Sequence, residues 1–324
     1  MADVSNARPL AIFTGYLVTC AALAAGSIAI IRKGASRRAS SSGGHRPGAI
    51  ALFSVLAAGS LAITWYHMLN FFRWSYQEWA SNQAATTLAD GELHLGEWLR
   101  DTTLFKQAWA SALETAPRAW WCVQIFGFCA NWSVMLAAQE RKRNIPHLWI
   151  LMLLGQLVAI SVASNLFFLA VLVHDQAAPA AESSRKGSKR QASQTERASS
   201  VGFWYDSIVI VTIGIGLSTT PAFGKSYFMY LLLTPHILAF APLLLNRLMP
   251  GEASTSALDK PSMLTKVASM AAIVSWATYA VVSEGGDWDT IVRTLHEHPA
   301  LSSVGWDVIC CWVSYTAWHI FGET

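Results

Sequence analysis

Eight apolar stretches that carry almost no charge constrain the fold of this 324-residue chain more than any other feature. A helix needs about 20 apolar residues to cross the roughly 30 Å hydrocarbon core of a bilayer. Backbone groups in lipid must be hydrogen-bonded within the protein, and the alternating pattern of a membrane barrel is absent from this sequence. We therefore predict an all-α, polytopic membrane helix bundle of about eight transmembrane helices, over 10–31, 49–72, 119–138, 148–173, 207–224, 226–246, 267–282 and 300–321.

The composition excludes an ordinary soluble chain. Only 13% of the residues are charged and 53% are hydrophobic, whereas a soluble globular chain carries about 25% charged residues. The net charge of +3 is spread over the loops, so we expect no nucleic-acid partner. We expect one integral membrane domain over residues 1–324, with the lipid bilayer as its surroundings.

Basic residues predict the orientation. Loops 32–48 and 139–147 hold five and three Lys and Arg, and the positive-inside rule makes their side cytoplasmic. With eight crossings, the segment 174–200 and its five basic residues fall on the opposite side, which then holds 13 of the 23 Lys and Arg. The Ala- and Ser-rich composition of this segment predicts a disordered linker between two four-helix halves. Segments 73–118 and 287–298 indicate amphipathic interfacial helices that cap the bundle.

Asp307 is the one formally charged side chain inside a predicted span, seven residues into the last helix. At 1.5 Å per residue, its depth is about 10 Å. An intramembrane acid costs at least about 2.5–3.5 kcal/mol and normally faces the interior of the bundle. An apolar environment favours the neutral carboxylic acid, which is the form that a Brønsted-acid catalyst needs at pH 7. The alternative is a structural acid that hydrogen-bonds a neighbouring helix.

A second group of candidate functional residues lies at the end of the second predicted span and in the segment that follows it. His67, Trp74 and Glu78 recur at helical spacing, which is typical either of a functional stripe or of an aromatic belt with snorkelling polar ends. Asp101 could lie beside Glu78 at the same end of the bundle, so these two residues are the alternative acids. With eight crossings, Asp307 and Glu78 lie near opposite faces, and we do not expect them to share one site.

Polar and aromatic residues inside the spans form a third set of candidates. Buried amides more often hold helices together than bind ligands, and both roles are open here. If a ligand cavity is present, the candidates for its wall are Tyr66, His67, Gln124, Asn131, Trp132, Asn165 and Ser314.

Motifs for metal and phosphate chemistry are absent from the sequence. The GKS at 224–226 lacks the upstream glycine of a P-loop, since position 219 is Thr. The HEH at 296–298 is a single short cluster, and no aspartate-rich motif is present to hold magnesium diphosphate. We therefore expect no metal and no cofactor.

Four stretches resemble a fungal family of membrane enzymes. They are WYHMLNFFRWSYQEW (65–79), EWLRDTTLFKQAW (97–109), RKRNIPHLWILMLLGQLVAISVASNLFF (141–168) and the ending SVGWDVICCWVSYTAW. They are similar to the small membrane-bound terpene cyclases of ascofuranone- and ascochlorin-type meroterpenoid biosynthesis, and the resemblance covers most of the chain except 33–47 and 175–200. It implies metal-free cyclisation of a farnesylated aromatic whose terminal alkene has been epoxidised. Protonation opens the epoxide to a cation, which an internal double bond or hydroxyl captures to form a ring.

The residues offer candidates for each part of such a reaction. It requires a neutral proton donor, a dry cavity, and aromatic faces that each stabilise a cation by about 0.5–2 kcal/mol. Our hypothesis is an isomerase of the endoplasmic reticulum that acts on a hydrophobic prenylated aromatic substrate, with Asp307 as the lead acid. The rival is a non-enzymatic transporter or receptor for a hydrophobic small molecule. Pro235, Pro242 and the short helix 207–224 would then mark the broken helices of a transport site.

Overall fold

The computed structural model describes residues 6–39, 46–83, 93–174, 188–248 and 255–322. All regular secondary structure within these ranges is helical, which confirms the all-α prediction. The helices are α1 (Ala7–Ala39), α2 (Pro47–Asn82), α3 (Leu95–Asp101), α4 (Leu104–Leu113), α5 (Ala116–Arg143), α6 (Leu148–Leu157), α7 (Ile160–Val173), α8 (Ser188–Leu217), α9 (Phe228–Leu238), α10 (Ala241–Leu248), α11 (Thr255–Ser283), α12 (Trp288–Thr294) and α13 (Pro299–Phe321).

Several of these helices could cross a membrane. By length and composition, four qualify individually, in α1, α2, α5 and α11. Helices α9 and α10, bent by 45° at the break between them, qualify together as a fifth. These helices support integral membrane character. Only four or five of the eight expected spans, however, meet the length and composition criteria within the described residues. Helices α6 and α7 are individually too short for a span, with 10 and 14 residues.

Contacts between helix ends show which ends lie together. At one end, Arg46 before α2 donates an Nη1–H to the carbonyl oxygen of Gly322 after α13 (3.3 Å). Asn246 of α10 donates to Glu140 at the end of α5 (2.8 Å) and accepts from Tyr205 of α8. We call this the basic end, because the last turn of α5, with Arg141, Lys142 and Arg143, lies here.

The opposite end is covered by short helices, and we call it the cap end. Arg100 of α3 donates to Asn6 at the start of α1 (3.3 Å). The ring of Trp74, near the end of α2, lies 4.3 Å from that of His298, which immediately precedes α13. Helix α12 packs on the first turns of α5. Helices α3, α4 and α12 occupy the two segments expected to form interfacial helices, although α2 itself continues to Asn82.

Helices α6 and α7 form a hairpin that returns to the end from which it came. Helix α6 starts at the basic end, and Leu157 at its last residue accepts a hydrogen bond from Tyr16, near the start of α1 (3.0 Å). Residues 158–159 interrupt the helix, and α7 then runs back until His174 lies against Gly34, near the end of α1. The fourth expected span is therefore not one crossing helix but two half-length helices that pack against each other.

The core centres on α5. Nearly every side chain from Ala116 to Ala137 is buried, and the helix packs against α7 and α13 as well as α8 and α11. Helix α5 thus contacts helices from both the N-terminal and the C-terminal part of the chain. Of the expected linker 174–200, the part from Ser188 onward has helical backbone in α8, and residues 175–187 lie outside the described ranges.

Candidate active site

A cavity of about 990 Å³ lies between the α6–α7 break and the cap end. This volume is at the upper end of the roughly 300–1,000 Å³ range of small-molecule sites. Helices α1, α2, α3, α4, α5, α9 and α13 contribute to its wall, which is mostly apolar. The aromatic residues of the wall are Phe13, Tyr16, Phe71, Phe72, Phe105, Trp109 and Phe126.

Asp307 lies on the wall of this cavity, with 7% of the residue exposed. Its Oδ2 accepts the backbone N–H of Ile160 (3.0 Å), and its Oδ1 accepts that of Ser161 (2.8 Å). These are the first two N–H groups of α7, and the first N–H groups of a helix have no partner within it. The carboxyl group therefore caps α7 from the neighbouring helix α13 while it borders the cavity.

The other side of the break is also held by side chains. The carbonyl oxygen of Leu157, at the end of α6, accepts from the hydroxyl of Tyr16 (3.0 Å) and from the thiol of Cys20 (3.9 Å). Within a membrane, irregular backbone is tolerated only where it is buried in protein or lines a cavity. Here it does both, and its polar groups are paired with α1 on one side and with α13 on the other. The break is thus an ordered part of the cavity floor, held in place by side chains of α1 and α13.

A second polar cluster lies beside the same break. Nδ1 of His236 is 2.6 Å from Oε1 of Gln156, whose Nε2 donates to the sulfur of Cys129 (3.2 Å). The His236 ring lies edge-on to Trp109 and Phe126, at centroid distances of 5.9 and 6.3 Å. Its Nε2 is buried and has no hydrogen-bond partner among the described residues. All five residues line the cavity.

The cavity reaches three cationic side chains at the cap end. Arg8, Arg100 and Lys106 belong to its lining and are exposed to solvent. Asp307 and His236 lie at the floor, and the wall between floor and rim is mostly apolar. Such a cavity fits a long apolar molecule that carries a few polar groups.

Glu78 and Asp101, the alternative acids, lie outside this cavity. Glu78 is exposed on α2. Asp101 is exposed on α3, where it pairs with Arg100 (2.8 Å) and accepts from the indole of Trp79 (3.3 Å). The Arg100 guanidinium holds the pKa of the Asp101 carboxyl below its usual range, so this group is ionised at neutral pH and is a poor proton donor. Of the three predicted acids, only Asp307 borders the cavity.

Each of the predicted amides hydrogen-bonds a side chain of another helix. Of the two roles left open by the sequence, this is the one of holding helices together. The contacts are Gln124 with Trp312 Nε1 (3.0 Å), Asn131 with Ser269 Oγ (3.0 Å) and Asn165 with Ser60 Oγ (3.3 Å). They connect α5 to α13, α5 to α11 and α7 to α2. None of these three amides is part of the cavity lining.

The four remaining candidates for the wall also lie elsewhere. Trp132 and Ser314 are completely buried in the helix packing. Tyr66 is 63% exposed on the outside of α2, and His67 is half-buried beside it. None of the four belongs to the cavity lining.

Comparison of the chain with protein-family models, with curated proteins and with solved structures finds no match. The resemblance to the fungal cyclases therefore remains an expectation. What the cavity can do chemically follows from its own residues and their geometry.

The sequence pattern did not single out His236 and Gln156. If residues 148–173 formed one straight helix, Gln156 would face away from Asn165, and no second polar residue would mark its side. His236 stands alone in an apolar stretch, where a lone histidine carries little signal. Only the fold brings the two together, because the break ends α6 just after Gln156.

Proposed function

We propose that the chain is an integral membrane protein with seven crossings and one re-entrant hairpin. The crossings are α1, α2, α5, α8, the α9–α10 pair, α11 and α13, while α6–α7 enters from the basic end and returns to it. Strict alternation of these seven agrees with the contacts at both ends of the bundle.

The basic residues support this topology. With seven crossings, segments 32–48, 139–147, 174–200 and 247–266 all lie at the basic end, where they hold five, three, five and three Lys and Arg, together 16 of 23. With eight crossings, the expected cytoplasmic side holds only ten. The positive-inside rule then makes the basic end cytoplasmic, and the cap end, with its cavity rim, faces the opposite compartment.

We propose that the cavity is the active site of a metal-free terpene cyclase of the endoplasmic reticulum. This isomerase protonates the terminal epoxide of a farnesylated aromatic and cyclises the resulting carbocation, as in meroterpenoid biosynthesis. The observation that carries the proposal is the carboxyl group of Asp307 on the wall of a large, mostly apolar, aromatic-rich cavity.

Asp307 supplies the proton. The neutral carboxyl group donates it to the epoxide oxygen, a C–O bond breaks, and positive charge develops on the carbon that loses its oxygen. The carboxylate left behind is stabilised by the N–H groups of Ile160 and Ser161, which are already in place at the start of α7. Capture of the cation closes the ring, and the proton lost at that step restores the acid. No atom is gained or lost, so the product is an isomer of the substrate.

The cavity wall protects and stabilises the cation. Trp109 and Phe126 stack with centroids 6.0 Å apart, and Phe71 adds a further ring to the wall. Each aromatic face is worth about 0.5–2 kcal/mol to a cation, more where water is excluded. An apolar wall also prevents water from trapping the cation before the ring closes.

The test is to incubate membranes that contain the protein with an epoxy-farnesyl phenol and to look for a product of equal mass and different retention time. Loss of a general acid lowers rates by about 10²–10⁴-fold, and we expect this loss for Asp307→Asn. The control variants Glu78→Gln and Asp101→Asn remove acids outside the cavity and should keep the wild-type rate. Size-exclusion elution and substrate-analogue binding show that each variant is folded. Full activity of folded Asp307→Asn would exclude Asp307 as the acid.

A transporter of hydrophobic molecules is the second candidate, because α6–α7 and α9–α10 are both interrupted. Helices that break near the middle of a membrane, with a helix start facing the site, are typical of transport sites. Here the start of α7 is already occupied by Asp307. Proteoliposomes decide between the candidates: exchange of a labelled ligand across the bilayer without isomer formation supports transport.

A further inference from the structure

We propose that His236, positioned by Gln156, is the hydrogen-bond acceptor for a hydroxyl group of the cavity's ligand. The ligand class is a long apolar molecule that carries an alcohol or a phenol. The proposal holds whether the ligand is cyclised or transported, because it concerns binding alone.

The contacts of Gln156 determine which nitrogen of His236 carries the proton. The Nε2 amide group of Gln156 donates to the sulfur atoms of Cys129 (3.2 Å) and Met152 (3.6 Å). Its Oε1 therefore faces Nδ1 of His236, at 2.6 Å. An amide oxygen only accepts hydrogen bonds, so Nδ1 carries the hydrogen, and in the neutral ring Nε2 keeps a free lone pair.

That lone pair is buried beside the cavity without a partner. Nε2 is shielded from solvent, and none of the described residues hydrogen-bonds it. A buried acceptor without a donor is unfavourable, and because His236 borders a cavity of ligand size, we assign its donor to a ligand in that cavity. The rings of Trp109 and Phe126 both pack against the His236 ring in T-shaped geometry.

The surroundings select a neutral donor over a charged one. Asp307 is the one carboxylic acid in the described lining of the cavity, and both of its oxygens bond the backbone of α7. The ring of His236 lies beside those of Trp109 and Phe126, and its Nδ1 faces the amide oxygen of Gln156. A hydroxyl group satisfies Nε2 without bringing a charge into this environment, whereas an ammonium group would have no counter-charge there.

The break between α6 and α7 thus supports two polar groups of opposite character. Gln156, before the break, orients an acceptor, and the N–H groups after the break hold the acid. A ligand that engages both carries a hydroxyl for His236 and an acceptor oxygen for Asp307.

The experiment measures binding of 4-farnesylphenol and of its methyl ether to the purified protein in nanodiscs, by quenching of tryptophan fluorescence. Neither probe contains an epoxide, so the result does not depend on cyclisation. We expect the phenol to bind the wild type at least about tenfold more tightly than the ether, which cannot donate. His236→Phe keeps an aromatic ring but removes the acceptor, so it should bind both probes with the affinity of the ether.

One further variant tests the role of Gln156. Gln156→Leu frees the imidazole to change tautomer and should reduce the preference for the phenol. His67→Phe replaces a histidine outside the cavity lining and serves as the matched control. Equal binding of phenol and ether to the wild type would overturn the proposal. An undiminished preference for the phenol in His236→Phe would do the same.

Discussion

Gln124 occupies a position where a polar side chain inside a membrane protein joins two helices. Its Nε2 donates to the carbonyl oxygen of Trp120 one turn earlier (2.9 Å), and its Oε1 accepts from the indole of Trp312 on α13 (3.0 Å). Both polar ends of the amide are therefore used within the protein. A residue satisfied in this way contributes to packing and has little left to offer a ligand.

We expect Gln124→Leu to lower stability and to leave ligand binding unchanged. Interhelical hydrogen bonds in membranes contribute about 0.6 kcal/mol on average and up to about 1.7. Thermal unfolding in detergent, followed by tryptophan fluorescence, measures the loss. Gln77→Leu, at an exposed position on α2, is the control and should shift the midpoint little. A loss of ligand affinity in Gln124→Leu, with stability intact, would instead assign the amide to the binding site.

Gly155 makes close packing between α5 and α6 possible. A Cβ atom at this position would come within 2.6 Å of Cζ3 and 2.9 Å of Cη2 of Trp132, whose side chain is completely buried. Gly59, in the middle of α2, has nothing within 4 Å of such a Cβ. The two glycines form a matched pair.

Alanine at the two glycines should have opposite effects. Gly155→Ala overpacks a full interface and should cost about 1–3 kcal/mol. Gly59→Ala meets no neighbour and should stabilise α2 by about 0.5–1 kcal/mol, because glycine is the less favourable residue in a helix interior. The thermal midpoints in one detergent test both changes. A gain in stability for Gly155→Ala would mean that Trp132 can move aside at no cost.

At the level of helices, the α6–α7 hairpin is the feature that could not be predicted from the sequence. Residues 148–173 are mostly apolar and carry no charge, and neither residue of the break is Gly or Pro. Nothing local requires the helix to stop there. The break exists because Tyr16 and Asp307, distant in sequence, satisfy the backbone groups that it frees. The helical class, the apolar stretches and Asp307 were predictable, whereas the hairpin and the His236 cluster depend on these long-range contacts.

Helix α13 begins with a histidine cap that depends on pH. Nδ1 of His298 accepts the backbone N–H of Ala300 (3.2 Å), and only the neutral ring can accept in this way. Burial, together with the positive charge of nearby Arg118, lowers the pKa of His298 to about 4 from its usual 6.5. The unfolded chain therefore takes up this proton at a higher pH than the folded protein does.

The contribution of this cap to stability is complete above about pH 6.5 and is lost as the pH falls through about 4. We expect the thermal midpoint to decrease between pH 7 and pH 4.5. The decrease should be smaller in His298→Asn, since asparagine caps a helix without titrating. Other acids and histidines contribute equally to both proteins, so the difference between the two slopes isolates His298. Parallel slopes would show that the cap does not titrate in this range.

At the level of the whole molecule, the number of crossings decides which segments share a compartment. Seven crossings and eight crossings agree on every loop before α6. They disagree on every segment after α7, because a hairpin that returns changes the parity of all later crossings. The ends of α10 and α13 both lie at the basic end, where seven crossings put them.

Engineered glycosylation sites distinguish the two topologies. With seven crossings, an acceptor site inserted at 285–286 is modified in the endoplasmic reticulum and one inserted within 174–200 is not. Eight crossings predict the reverse. A site placed before α1 should be modified in either case, and one within 139–147 in neither, so these two insertions control for access to the enzyme. The shift of the protein on a gel, and its reversal by a glycosidase, provide the measurement.

The carboxyl group of Asp307 is oriented by backbone N–H groups, so its position does not depend on the side chains of the residues that hold it. Every residue except proline supplies the same N–H, so substitutions at 160 and 161 leave the donors that face Asp307 unaltered. Wall side chains of α1, α4 and α9 other than Tyr16 can then change without displacing the carboxyl group. Descendants of one ancestral chain could therefore have cavities of new shapes while they keep the same buried acid in the cavity wall.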